Sequence, residues 1–197
     1  MTDNDSIRVM IKPDSISYEA VREVLFRAHQ PLRDAGVVMK VPLMSAEELE
    51  EWVGKDGKCF VALDGDKVVG TAAYRFRNHN RWYWKGRLIE QTMGAVLPEY
   101  QGRHVFSRLI EIRDSQISKE DCSAVFFDTA ENNIHRRQIA AKQGFKTVDY
   151  FRSNDHYSVG LVKWLDGCPY SDRYCAFRYR LKKLAVHVKH ALGLYRG

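Results

Sequence analysis

Between Leu88 and Ile117 the chain changes its hydrophobic period. Up to Val96 the residues suit a strand. After Tyr100, Val105, Leu109, Ile112 and Gln116 recur at helical spacing on one face, which predicts a helix over about 103–118. The join is a turn, Gln101-Gly102-Arg103-His104. The first N–H groups of a helix have no partners within it, and its dipole is positive at that end. A strand that turns straight into a helix therefore offers an anion cradle, here Gln101 to Phe106, with the carboxylate of Glu90 upstream on the strand. A carboxylate beside a phosphate grip points to group transfer from a nucleotide-bearing donor.

The flanks extend the layer pattern. The apolar run at 123–129, Ser-Ala-Val-Phe-Phe-Asp-Thr, reads as a buried strand, and strand, helix and strand of this length make a right-handed parallel crossover. Upstream, 7–12 suits a first strand. Ser17 caps a helix carrying Ala20, Val21, Val24, Leu25 and Ala28, and Ser45 with Glu48 forms a capping box for a helix over 45–53. Strands 58–63 and 67–76 flank the hairpin signal Asp64-Gly65, and a further turn is expected at Asn78-His79-Asn80 before strand 88–96. Downstream, a helix over 133–143 ends at Gly144, and 145–151 and 156–165 supply two closing strands. The expected fold class is α/β: a mixed, mostly antiparallel central sheet of about seven strands with a parallel βαβ crossover and helices on both faces.

A chain of 197 residues, 45% hydrophobic and 28% charged, can build one sizeable core without disulfide or metal staples. Cys59, Cys122, Cys168 and Cys175 form no CxxC zinc half-site and read as free thiols, with a Cys168–Cys175 pair left open; no metal is expected. The N-terminus carries acids and no long apolar run, and no stretch of 18 apolar residues occurs, so a cytoplasmic location is expected. The net charge of +6 is concentrated: 166–197 holds seven Lys and Arg against two acids, leaving the body nearly neutral.

The segments 96–110 and 131–145 together resemble the GNAT superfamily of acyl-CoA N-acyltransferases. The matching positions are Val96, Pro98, Tyr100, Gln101, Gly102, Ser107, Leu109, Asn133, Gly144 and Phe145. The resemblance covers about residues 7–165, so that the organisation reads as an acyltransferase domain at 1–165 and a basic amphipathic extension at 166–197. Three positions depart from the family pattern: His104 replaces the loop glycine, Phe106 a small residue, and Ala140 the helix tyrosine that often serves as general acid.

The resemblance implies acetyl-CoA as donor and a primary amine as acceptor. Main-chain groups at Gln101, Gly102, Arg103, His104, Val105, Phe106 and Ser107 would hold the pyrophosphate. The backbone at Ala95, Val96 and Leu97 would orient the thioester, and Asn133 would bond the pantetheine arm unless it is only an N-cap. The splayed donor site is expected between strands 88–96 and 122–129. A lysine-like amine at neutral pH holds its proton by about 4.6 kcal/mol, so a positioned base lowers the barrier. Glu90 is the candidate, in an expected apolar setting of Leu88, Met93 and Trp84; the other reading is a strand carboxylate paired with Arg87. Tyr150 and Tyr157, with His156, are candidate acids by region. His104 and His135, near helix starts, read first as surface or capping groups.

Two basic segments remain. Arg75, Arg77, Arg81, Lys85 and Arg87 interleave with Tyr74, Phe76, Trp82, Tyr83 and Trp84, a pattern that fits either base stacking or an ordinary hairpin with a basic face. From Ala176 to Leu192, Phe177, Leu181, Leu184, Val188 and Leu192 form one helical stripe, with Arg180, Lys183, His187 and His190 on the other side. Such a helix docks on its own domain, on a second subunit, or on an anionic membrane or nucleic acid, the first two being the commoner use. A second functional reading follows from His104, Phe106 and Ala140: a non-catalytic module of the same fold that binds nucleic acid or membrane through the hairpin and tail.

Overall fold

The structure, a computed structural model, describes residues 6–36, 39–153 and 156–194; the side chains of His135 and Ser153 lie outside the described set. In chain order the elements are β1 (Ile7–Ile11), α1 (Tyr18–Ala28), α2 (Gln30–Asp34), α3 (Ala46–Val53), β2 (Lys58–Asp64), β3 (Lys67–Arg81), β4 (Trp84–Val96), α4 (Val105–Ile117), β5 (Ala124–Ala130), α5 (Ile134–Lys142), β6 (Lys146–Ser153), β7 (His156–Trp164) and α6 (Asp172–Ala191). The strands form a mixed sheet in the order β1-β2-β3-β4-β5-β7-β6, mostly antiparallel with one parallel pair, and helices lie around it.

The chain divides into two compact units, Met1–Arg77 with Ile89–Asp121 and Asn78–Leu88 with Cys122–Gly197. In the first unit, β1 and β3 pair antiparallel with β2 around a core that includes Phe60, Val61 and Ala62. Helix α1 starts where the Ser17 hydroxyl accepts from the Ala20 N–H, and it buries Val21, Val24 and Leu25. The Ser45–Glu48 capping box opens α3, which buries Leu49 and Val53. Gly70 on β3 sets the approach of α4: a Cβ there would lie 3.0 Å from Leu109 and 3.3 Å from Val105. A side chain at 70 would press on these side chains, so the glycine leaves room for the first turns of α4 to pack closely.

In the second unit, β5, β7 and β6 pair antiparallel. Their core gathers Tyr83, Leu88, Ala124, Phe126, Val148, Val162, Trp164 and Cys175. Tyr83 stacks on Phe126 with ring centroids 6.2 Å apart and planes 5° apart. That burial explains one departure from the sequence expectation. The turn anticipated at Asn78-His79-Asn80 is strand, β3 continues to Arg81, and the chain reverses at Trp82-Tyr83, where the buried tyrosine anchors it. Tyr74 is fully buried and Tyr83 nearly so, which removes both from any base-stacking surface. All four cysteines are free thiols.

Helix α6 packs along β6, but not through its apolar stripe. It buries Cys175 and Val186, while His187 and His190 meet the hydroxyls of Tyr150 and Tyr157, and Lys183 pairs with Glu131. The buried Tyr150 hydroxyl donates to Glu131, and the polar face of α6 adds His187 to that pair and His190 to Tyr157.

Candidate active site

In the first unit, β4 carries Glu90 near its middle and Ala95 and Val96 at its end, and a single 3₁₀ turn, Pro98–Tyr100, leads to the loop. The strand is irregular before the loop: Met93, 4% exposed, takes φ 55, left-handed backbone that costs a non-glycine residue about 1 kcal/mol or more. Strain of this kind concentrates at functional sites. Nothing in the sequence at Met93 signals it beyond the adjacent Gly94.

The loop then makes two left-handed steps, Gly102 at φ 79 and His104 at φ 57, ψ 12. His104 thus adopts left-handed backbone of the kind that glycine favours. Gln101 to His104 are exposed, Val105 is buried, and no side chain caps α4, whereas Ser17, Ser45, Asn133 and Ser171 cap α1, α3, α5 and α6. The Arg103 guanidinium and the Lys67 ammonium lie 5.1 and 5.6 Å from the Tyr100 ring centroid, and the Tyr100 hydroxyl donates to Asp64 at 2.8 Å. Lys67 also pairs with Glu99 at 3.5 Å, so Arg103 is the cation that puts positive charge beside the loop. Phe106 does not project freely at its family position. Its ring lies where a Cβ on Gly94 would come within 3.3 Å, so the missing side chain on β4 accommodates the added one on α4. The residues present fit a diphosphate: a helix start that no side chain caps, with the Arg103 guanidinium beside it, while Lys67 is shared with Glu99 at 3.5 Å.

Glu90 is 5% exposed and ionically held. Arg75 donates to its Oε2 from Nε at 2.7 Å and from a terminal nitrogen at 2.6 Å, and Arg77 donates to Oε1 at 3.1 Å. The setting is ionic where an apolar one was expected. Arg75 lies six residues before the end of β3 and Glu90 six after the start of β4, so the true position of the turn is what brings them together. The Arg75 guanidinium also lies 3.4 Å from the Trp52 ring centroid, and Trp52 donates from Nε1 to Thr92 Oγ1 at 3.3 Å. Arg75 is mostly buried but Arg77 is half exposed, so the two hold the carboxylate with different firmness. Of the backbone groups proposed to meet the thioester, the Leu97 N–H already donates to Val69 O at 2.9 Å.

The second unit carries the remaining candidates. Asn133 is the N-cap of α5: its side chain accepts from the Arg136 N–H at 3.2 Å and its amide donates to Thr129 Oγ1 at 3.3 Å. Tyr150 is fully buried and donates to Glu131 at 2.7 Å; burial first, then that bond, push its hydroxyl pKa well above the ordinary value. The Tyr157 hydroxyl lies 2.8 Å from His190 Nδ1, and the two tyrosine rings stack with centroids 5.4 Å apart. Ala140 is fully buried, and His156 is half-buried.

A family model described as the acetyltransferase (GNAT) family matches residues 21–145. The chain belongs to this GNAT family. Among solved structures it is similar to an acetyltransferase from Streptococcus agalactiae (TM-score 0.62, 17% identity, covering 81% of this chain and 99% of that one). It is also similar to a chain of the NatC complex bound to Gag peptide and CoA (0.61, 16%, 81% and 99%). A third is the ribosomal-protein-S18-alanine N-acetyltransferase of Escherichia coli (0.60, 13%, 81% and 94%). At these identities the likenesses speak to the fold, and they agree with the GNAT assignment. No curated protein sequence matches the chain.

Proposed function

We propose that this GNAT protein transfers an acetyl group from acetyl-CoA to a primary amine by direct attack. The observation that carries this reading is the loop from Gln101 to His104, which keeps two left-handed steps ahead of a helix that no side chain caps. The amides from Gln101 to Ser107 would hold the diphosphate and the backbone at Ala95 and Val96 would orient the thioester carbonyl, while Asn133 serves as the N-cap of α5. Acetyl-CoA supplies the activated acyl group when bound.

Glu90 draws the proton from the amine, directly or through a water. Oε2 is fixed by the mostly buried Arg75, so Oε1, held by the half-exposed Arg77, is the oxygen that turns toward the acceptor. Proton return to the leaving thiolate falls to solvent, since the Tyr150 hydroxyl is committed to Glu131 and that of Tyr157 to His190. The acceptor class remains any primary amine that the surface loops admit. A non-catalytic module has less in its favour, because the aromatic residues Tyr74 and Tyr83 of the basic hairpin are buried and Arg75 and Arg77 are engaged with Glu90. The cell compartment expected is the cytoplasm; among the described residues no helix is long and apolar enough to cross a membrane.

Calorimetry with acetyl-CoA and with free coenzyme A tests the reading. Binding that is lost when the loop is shortened between Gln101 and His104 is the expected result. A folded protein that ignores millimolar coenzyme would overturn it.

A further inference from the structure

Helix α6 is amphipathic in the reverse of the usual sense. Phe177, Leu181, Leu184, Val188 and Leu192 recur at three- and four-residue intervals and lie on one side, yet they are 60, 51, 62, 48 and 65% exposed. Val186, nine residues after Phe177 and so half a turn out of phase, is 4% exposed and marks the docked side. That docked side is secured independently of the stripe, by Tyr157 with His190, Tyr150 with His187, Glu131 with Lys183, and Arg178 over the Trp82 ring at 5.0 Å. The helix is thus held firmly with five large apolar groups turned outward. A monomer gains nothing by exposing them.

Charge decides what covers the stripe. Asp172, at the first position and paired with Lys146 at 2.8 Å, is the one acid in α6. Arg173 and Arg180 flank the stripe on one side, and Lys182 and Lys189 on the other, all four exposed. A second copy brought stripe to stripe would set these cations against their own duplicates. An anionic bilayer would neutralise them while taking up the apolar groups, with the helix lying in the interface plane.

We propose that the outward stripe of α6 is a docking face for an anionic lipid surface, which the apolar residues enter and the flanking cations grip. The proposal does not depend on the catalytic reading. Each cation near an anionic surface contributes about fivefold in partitioning, a term that salt removes.

The test uses the full chain with vesicles of phosphatidylcholine alone and of phosphatidylcholine with about one-third phosphatidylserine, read by flotation. The expected result is binding to the anionic vesicles, at least tenfold weaker to neutral ones and reversed by high salt. Leu181→Glu with Leu184→Glu abolishes it, while Arg180→Glu with Lys182→Glu weakens it by about twenty-five-fold or more; because all four side chains point outward or flank the stripe, the circular dichroism spectrum and thermal midpoint stay unchanged. The proposal is overturned if the protein floats with neither vesicle, or if the double glutamate variant floats as well as the parent. A stripe-dependent dimer in sedimentation without lipid would assign the face to a second copy instead. RNA binding that survives the double glutamate variant, without lipid binding, would likewise overturn it.

Discussion

Arg75 holds Glu90 by two donors on one carboxylate oxygen, at 2.7 and 2.6 Å, while the other oxygen meets Arg77 at 3.1 Å. The carboxylate is gripped on one side and reachable on the other. Arg75→Ala leaves a buried charge without its partner and is expected to cost about 3 kcal/mol or more in chemical denaturation. Arg77→Ala removes a half-exposed pair and is expected to cost less than about 1 kcal/mol.

Activity separates structure from chemistry at the same site. Glu90→Gln is expected to lower kcat by about a hundredfold while calorimetric affinity for acetyl-CoA holds, the scale of a lost general base. Unchanged turnover would remove Glu90 from the mechanism.

His104 occupies left-handed backbone that favours glycine. His104→Gly relieves about 1 kcal/mol of strain, partly offset by the extra freedom of the unfolded chain, so a small rise in thermal midpoint and undiminished coenzyme affinity are expected. His104→Val, β-branched at the same φ, should lower the midpoint and weaken coenzyme binding together. Equal midpoints for the two variants would show that the loop does not need this conformation.

Phe106→Ala empties the space over Gly94. The ring is only half-buried, so the loss of stability should be about 1–2 kcal/mol, below that of a fully buried phenylalanine. If the ring narrows the donor entrance, coenzyme affinity rises severalfold at the same time. A fall in affinity would instead make the ring part of the cradle.

The docking of α6 should depend on pH at both extremes. The Glu131 hydrogen bond raises Lys183 above its ordinary 10.5, so its contribution is present below that value and is lost as pH climbs through the raised one. For Glu131, burial pushes upward but the bonds from Lys183 and Tyr150 outweigh it and hold the carboxyl below 4.5. Its contribution is therefore present above 4.5 and is lost as pH falls through the lowered value. Hydrogen exchange of α6 amides should quicken on both limbs, and Lys183→Met should abolish the alkaline one. An unchanged alkaline limb in that variant would assign it to another group.

What was legible in the chain was local. Ser17, the Ser45–Glu48 box and Asn133 mark helix starts because a cap acts within a few residues, and the change of period after Tyr100 marks α4. The partners of Glu90 were not legible, because they depend on where the hairpin turns. That point is fixed by the burial of Tyr83 against Phe126, a contact between residues 43 positions apart. The periodicity of α6 revealed its stripe but not which side docks, since the choice rests on hydroxyls contributed by β6 and β7. The family pattern located the loop at His104, and only the backbone showed that this histidine takes left-handed geometry.

The seating of Phe106 over Gly94 ties two positions on different elements into one inheritance. Descendants of this sequence that retain a bulky aromatic at the first turn of α4 are favoured to keep position 94 bare, and a lineage that trades it for alanine is released from that pressure. Drift at either site should therefore appear as paired exchange across orthologues, a footprint that sequencing alone can look for.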